Sequence, residues 1–423
     1  MSVCFALREV TVRDSKGAKA SWSSSTAGAN KPQNTRPLAL FPAKENQELL
    51  EDFVPKVEAE IKKVKAEGVL VQIGEEKMQA TCKEADLSMA DGKMVTSLTR
   101  LGGAYCTMCT RGQEECKDIH LVEGGFLINR SIQSITDLAL SLSDPETGEV
   151  VRARGDYGTR QGVCGKPITE SDLTKNIPVC HSKIRTVEWL VEFLVRYLSH
   201  QKWWTPTKPT KYTPEEKASY QAARLRLQTE LYTSLAVNIG DPGDMLTGNA
   251  FKTIAADTSR AFLSSYMDEE HKEAFSDILL GLCATVKIMN SQKRLVNTEK
   301  LRQLTIETYV KLVTFFPWCA VSQSVHRILA HAWEVIQLND GYGLGGKSEE
   351  GLEALNKYIR SIRQSGARKD STLNNFTDTF NHLWDRSRPT IVQLAREIRR
   401  RTPKLLIMTE IESLVESLFL EEE

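Results

Sequence analysis

Apolar residues recur along this chain with two periods, and the change of period divides it. Near the start, SVCFALREVTV is apolar and β-branched at strand length, and the polar stretch KGAKASWSSSTAGANKPQNT that follows is too rich in Ser, Gly and Asn to pack. Residues 38–41 read as another short strand. From about Glu45 the spacing turns helical, with Leu49, Leu50, Phe53, Val54, Val57, Ile61 and Val64 on one face up to Gly68, and Pro55 as a start or a kink. GVLVQI and KMQATCKEADLSM then alternate as two strands, the second leading to Asp91. An acid at a strand end is a candidate for chemistry.

From about Leu101 the strand signals thin and the chain becomes mainly helical. The periodicity predicts helices over 186–200, 250–262, 269–290, 298–315, 321–338 and 348–364. Another starts at Thr213-Pro214-Glu215-Glu216, where Thr caps the free amides, Pro suits the first turn and Glu216 closes a capping box. A linker, WWTPTKPTKYTP, precedes it. The last sixty residues hold a basic stretch over 386–404, read either as a phosphate-contacting surface or as a solvated helix face, and then an acidic amphipathic end, IESLVESLFLEEE. No internal repeat is visible.

Composition narrows the class. A chain of 423 residues, 41% apolar and 26% charged, has room for two or three domains and is not disordered throughout. Fifty-five basic and fifty-five acidic side chains cancel, so nucleic-acid binding would have to come from local patches. No apolar run reaches eighteen residues and the N-terminus lacks a secretory pattern, so the expectation is a soluble, unsecreted protein without a membrane partner. Nine cysteines without framework spacing read as reduced thiols of the cytosol or nucleus.

Two constellations bear on chemistry. Cys106 and Cys109, in CTMC, have zinc spacing, but a structural zinc needs four ligands. Cys116 and His120 would complete a local knuckle, and His326 and His331, in SVHRILAHAW, a long-range one; spacing also allows unrelated buried thiols and core histidines. Glu353 lies in KSEEGLEALNKYIRSIR, where Leu352, Leu355, Ile359 and Ile362 form the buried stripe, and Glu349, Asn356, Lys357 and Arg360 share the face of Glu353. Such a face suits a metal ion beside phosphate. It also suits an exposed i,i+4 pair between Glu353 and Lys357.

Five ordered segments, covering about residues 3 to 390, resemble one known family. They are ADGKMV, YCTMCT, GVCGKPITESDLTKNIPVCHSKIR, MLTGNAFKTIAADTSRAF, and TFFPWCAVSQSVHRILAHAWEVI followed by LGGKSEEGLEALNKYIRSIRQSGARKDS. The chain is similar to Transib transposases and the V(D)J recombinase catalytic subunit. The resemblance implies an α+β, mainly helical protein: an incomplete ribonuclease H-like core interrupted by a large helical zinc-binding insertion. On that reading residues 1–100 are the partial core, 101–340 the insertion, 341–370 the catalytic helix and 371–423 a helical tail.

The implied activity is DNA nicking followed by transesterification to a hairpin, on two Mg2+ or Mn2+ ions about 4 Å apart held by an acidic triad. Carried over residue by residue, Asp91 matches the second catalytic Asp and Glu353 the catalytic Glu, anchored by Asn356 and Lys357. The zinc ligands become Cys106, Cys109, His326 and His331. Arg360, Arg363, Arg368 and Lys369 become candidate DNA-phosphate contacts, with a solvated face as the alternative. The implied partners are double-stranded DNA, a second copy of the chain and an accessory recombinase subunit, in the nucleus.

One departure matters. The family's first catalytic Asp, on the first strand of the core, has no matching position; Asp14 is the only early Asp after a strand and its surroundings differ. The family's DNA-end-recognition region has no match either, and Cys180 stands where the family has Leu ahead of a histidine. The expectation is therefore an N-terminally truncated relative. With two acids of three it would be inactive as it stands, or a domesticated, catalytically dead zinc-containing DNA-binding or interaction module.

Overall fold

The structure, a computed structural model, describes residues 2–6, 9–13, 19–23, 35–40, 47–73, 76–80, 92–144, 146–147, 160–199, 213–239, 248–292, 294–386, 388 and 409–420. In chain order they form strands β1 (Ser2–Ala6), β2 (Glu9–Arg13), β3 (Lys19–Ser23) and β4 (Thr35–Leu40), helix α1 (Gln47–Glu67), and strands β5 (Val69–Ile73) and β6 (Glu76–Ala80). Helices follow: α2 (Gly92–Thr99), α3 (Ile119–Gly124), α4 (Ile132–Ser141), α5 (Val179–Leu198), α6 (Pro214–Leu235), α7 (Gly248–Ile254) and α8 (Asp257–Ser264). Then come α9 (Glu269–Met289), α10 (Thr298–Phe315), α11 (Gln323–His326), α12 (Ala332–Leu338), α13 (Glu350–Ser361), α14 (Thr372–Arg386) and α15 (Thr409–Ser417). The protein is mainly helical.

The chain divides into two compact units. Unit 1 is Met1–Ala90, Pro167–Leu173 and Gly346–Lys404; unit 2 is Asp91–Lys166, Thr174–Gly345 and Leu405–Glu423. The stretch read from sequence as one tail, 371–423, is thus shared between them.

In unit 1 the described strands pair two by two, all antiparallel: β1 with β4, β2 with β3, β5 with β6. Helix α1 buries Leu50, Val54 and Glu58, spaced four apart as one helical face requires. Glu58 is an acid on an apolar stripe, and the fold satisfies it. Its carboxylate accepts hydrogen bonds from the Thr169 hydroxyl, from Glu170 N at 3.1 Å and from Ser171 N at 3.1 Å. Burial alone would push this carboxyl up, but those donors hold it below the usual carboxylate range. Lys62 pairs with Glu170 beside it, so the segment Pro167–Leu173 is strapped to α1 through one side-chain cluster.

Helices α13 and α14 form a hairpin around Leu355, Ile362, Ala367 and Leu383. A π-helical turn, Ile362–Gly366, ends α13. Asp378 closes the turn by accepting from Arg368 Nε at 2.9 Å, Arg368 Nη2 at 2.9 Å and Arg368 N at 3.0 Å, which holds its carboxyl down to about 2.

Unit 2 is built round α9, whose buried residues run from Ala274 to Met289. Gly281 lets α10 approach closely, since a Cβ there would stand 2.1 Å from Thr308 Oγ1. Phe193 of α5 stacks on Phe275 of α9 at 5.5 Å and meets Phe316 edge-on at 4.9 Å, tying three segments together. Thr213 and Glu216 form the expected capping box at the start of α6. Helix α5 begins at Val179, ahead of the expected 186, because Cys180, Ser182 and Lys183 are buried there although their polarity masks the periodicity.

Candidate metal centre

Unit 2 brings Cys106, Cys109, His326 and His331 together. All four are buried, and their ligand atoms lie within 4.8 Å of one another. A tetrahedral zinc with Zn–S of about 2.3 Å and Zn–N of about 2.0 Å would need neighbouring ligand atoms about 3.3–3.8 Å apart. Cys109 Sγ and His326 Nε2 are already 3.4 Å apart, across 217 residues of chain.

The cysteines sit on a knuckle. Tyr105 and Gly112 form an antiparallel bridge, Cys106 N donates to Arg111 O at 3.2 Å, and Met108 N donates to Cys106 Sγ at 3.4 Å. Asn129 N and Arg130 N both donate to Met108 O, at 3.1 and 3.0 Å, fixing the turn from outside. Both cysteines are buried on this held turn.

The histidines sit on a break in a helix. Five residues of α-helix turn through about 500°, which would leave His326 and His331 about 140° apart round the axis. Between α11 and α12 the chain makes a π-helical turn, Arg327–His331, whose i→i+5 bonding stacks positions five apart. The two rings consequently stand 5.2 Å apart, edge to face. The sequence pattern reads 321–338 as one unbroken helix, and the π turn is what that pattern does not show.

Around the quartet, the Tyr309 hydroxyl donates its one proton to Cys116 O at 2.9 Å. It therefore accepts from His326 Nδ1 at 3.0 Å, which leaves Nε2 of that ring bare on the side of the thiols. Phe126 closes the other face of the ring at 4.9 Å. Both ring nitrogens of His331 are fully buried without a hydrogen-bond partner of good geometry; Glu334 Oε2, which accepts from Ile128 N at 2.8 Å, stands 4.0 Å from Nδ1. Two bare nitrogens inside a core are costly unless an ion takes one of them. The donor set, two thiols and two imidazoles, is the set zinc prefers.

The electrostatics agree with the geometry. Burial alone would push the Cys106 thiol up, but Cys109, His326 and His331 pull it well below the usual thiol range. Burial likewise favours a neutral His326, yet the Cys106 and Cys116 thiols raise it. Cys109 moves the other way, pushed up by its contact with the Cys106 sulfur and by burial, so the negative charge of the pair gathers at Cys106.

The local alternative does not assemble. The His120 side chain is 89% exposed on α3, beside Glu123, while Cys116 is buried below Tyr309. Tyr309, Phe126 and Glu334 carry no signal in the sequence that marks them as neighbours of this site.

Asp91 lies outside the described residues. Glu353 lies on α13, and its side chain is outside them as well. Among the proposed phosphate contacts, Arg360 and Lys369 are exposed. Arg368 is held by Asp378, and Arg363 donates to Asn375 Oδ1 at 3.1 Å while stacking over Phe376 at 4.4 Å. Those two guanidiniums fasten the α13–α14 hairpin. Of the basic stretch 386–404, Arg386 stacks on Tyr358 at 3.7 Å, Arg388 pairs with Asp385 at 2.8 Å, and the other residues lie outside the described ones.

No protein-family model matches the chain, and no curated protein matches it. Among the described residues, no helix is long and apolar enough to cross a membrane.

Proposed function

We propose that this chain is a DNA recombinase or transposase of the Transib and V(D)J recombinase type. On this reading a ribonuclease H-like core carries the reaction and the helical unit is its zinc-holding insertion. The observation that supports it most is the metal centre: the four residues the resemblance assigns to zinc are the four that converge among the described residues. The exposed Arg360 and Lys369, on and just after α13, leave positive charge for a DNA backbone near the helix of Glu353.

In the proposed reaction Asp91 and Glu353 would hold divalent ions, as carboxylate oxygens suit Mg2+ or Mn2+. Such ions, when bound, stabilise the attacking and leaving oxygens of an in-line displacement at phosphorus. Water is the first nucleophile and the freed 3′-hydroxyl the second, giving a hairpin without a covalent protein intermediate. The zinc pairs distant parts of unit 2 and needs no part in the chemistry.

A second reading rests on the exposed Arg360 and Lys369: a catalytically silent module that binds DNA through its basic side chains. Incubating the chain with supercoiled plasmid and Mn2+, beside Asp91→Ala and Glu353→Ala, separates the two. Nicking lost in both variants supports the enzyme. Salt-sensitive binding without cleavage supports the silent module, and neither nicking nor binding removes both readings.

A further inference from the structure

The His326 ring is a hub with one donor more than a tetrahedral ion can use. Cys109 Sγ stands 3.4 Å from its Nε2, and the thiols of Cys106 and Cys116 also lie in hydrogen-bonding contact with the ring. With His331, 5.2 Å away ring to ring, the core gathers three sulfurs and two imidazoles for four coordination places. Cys116 is wholly buried and belongs to the same knuckle as Cys106 and Cys109. Its N donates to Gly112 O at 3.2 Å, Gly112 pairs with Tyr105, and the neighbouring Glu115 accepts from Gly112 N at 2.9 Å and from Arg111 Nη1 at 2.6 Å. Tyr309 donates to Cys116 O, so one hydroxyl holds both the ring and the residue that carries the extra thiol.

Two features favour exchange of His331 for Cys116. Glu334 Oε2 stands 4.0 Å from His331 Nδ1, an acceptor for the imidazole N–H once that ring leaves an ion. Charge is the other. A divalent ion on two thiolates and two neutral imidazoles is neutral, and a third thiolate in place of one imidazole makes the group an anion. Arg130 is buried and its guanidinium acts on Cys106 and Cys109; it donates through Nη2 to Gln161 O at 3.0 Å, while its Nε has no partner. Arg327 brings a second guanidinium towards Cys106, and its buried Nη1 has no partner either. Among the described residues neither arginine is paired with a carboxylate. A buried cation is costly without a counter-charge, and the extra thiolate supplies one.

We propose that Cys116 is a reserve ligand, exchanged for His331 when the centre takes a soft divalent cation such as Cd2+, which is then held by three sulfurs and one nitrogen. The Cys116 S–H bond breaks as the sulfur–metal bond forms, the proton is released to solvent and the metal–nitrogen bond to His331 opens, so no oxidant or reductant takes part. Soft ions gain most from the added sulfur. Neither residue need touch DNA, so the exchange stands or falls apart from the activity proposed above. The test uses full-length chains loaded with Cd2+ or Zn2+. His331→Ala should keep one Cd2+ ion per chain, and adding Cys116→Ala to it should weaken Cd2+ binding roughly tenfold or more, by competition with a chelator. Equal Cd2+ affinity in the single and double variants overturns the proposal. Where His331→Ala loses its helical circular dichroism, the decision falls to Cys116→Ala in the otherwise intact chain. That variant should keep its Zn2+ affinity, lower the preference for Cd2+ over Zn2+ roughly tenfold, and lose the third thiolate's share of the ultraviolet sulfur-to-cadmium absorption. An unchanged preference and an unchanged spectrum overturn it.

Discussion

Because Tyr309 gives its proton to a carbonyl, it fixes the tautomer of His326, and removing that one oxygen should be felt at the metal rather than in the core. Tyr309→Phe keeps the ring that fills the space beside Phe126, yet frees His326 to rotate or to protonate at the wrong nitrogen. Zinc affinity should fall roughly 10–100-fold, measured by competition with a chromophoric chelator. Direct ligand loss is harsher: Cys106→Ser or His326→Ala should abolish the bound ion, whereas Cys116→Ala and His120→Ala should keep one ion per chain by elemental analysis. Glu58 gives a pH signature. Its folded carboxyl lies below the unfolded value, so its stabilising effect is present above that unfolded value and is lost as pH falls through the folded one. Glu58→Gln should flatten the acid limb of unit 1 stability, read by unfolding in denaturant between about pH 3 and 6.

Among the elements, the contact of α9 with α10 depends on one missing methyl. Gly281→Ala places a Cβ against Thr308, whose hydroxyl already donates to Leu304 O at 2.7 Å and cannot swing away without losing that bond. The substitution should cost about 1–3 kcal/mol or more in thermal unfolding, and Thr308→Ala should restore part of it, a non-additivity that would be absent if the glycine acted only through backbone entropy. The same scale shows what sequence can and cannot convey. The capping box at Thr213 was legible because its partners are three residues apart, and α10 matched its expected span, 298–315, because caps and periodicity agree there. The π turn before His331 was not, since its cost is repaid by a thiol pair more than two hundred residues away. Helix α2 was missed too, because Gly92 and the β-branched Val95 and Thr96 argue locally against a helix that burial of Val95 and Leu98 supports.

The chain builds two units, and neither is a continuous stretch of sequence. Residue spacing left the zinc partners undecided between a local and a distant pair, since both satisfy ligand geometry on paper; only the fold, which turns His120 to solvent, separates them. The quartet that the resemblance implies is the one that comes together in unit 2 among the described residues. The fold also makes timing part of the protein's problem. A ribosome adding about 5–20 residues per second takes roughly 10–40 s to go from Cys109 to His326, and throughout that interval the nascent chain carries a pair of thiols whose ring partners do not yet exist. Yield of correctly metallated protein should therefore respond to translation speed and to the oxidant level of the host during synthesis. Zinc supplied while the chain is being made should outperform zinc added after purification, as judged by ion content per chain.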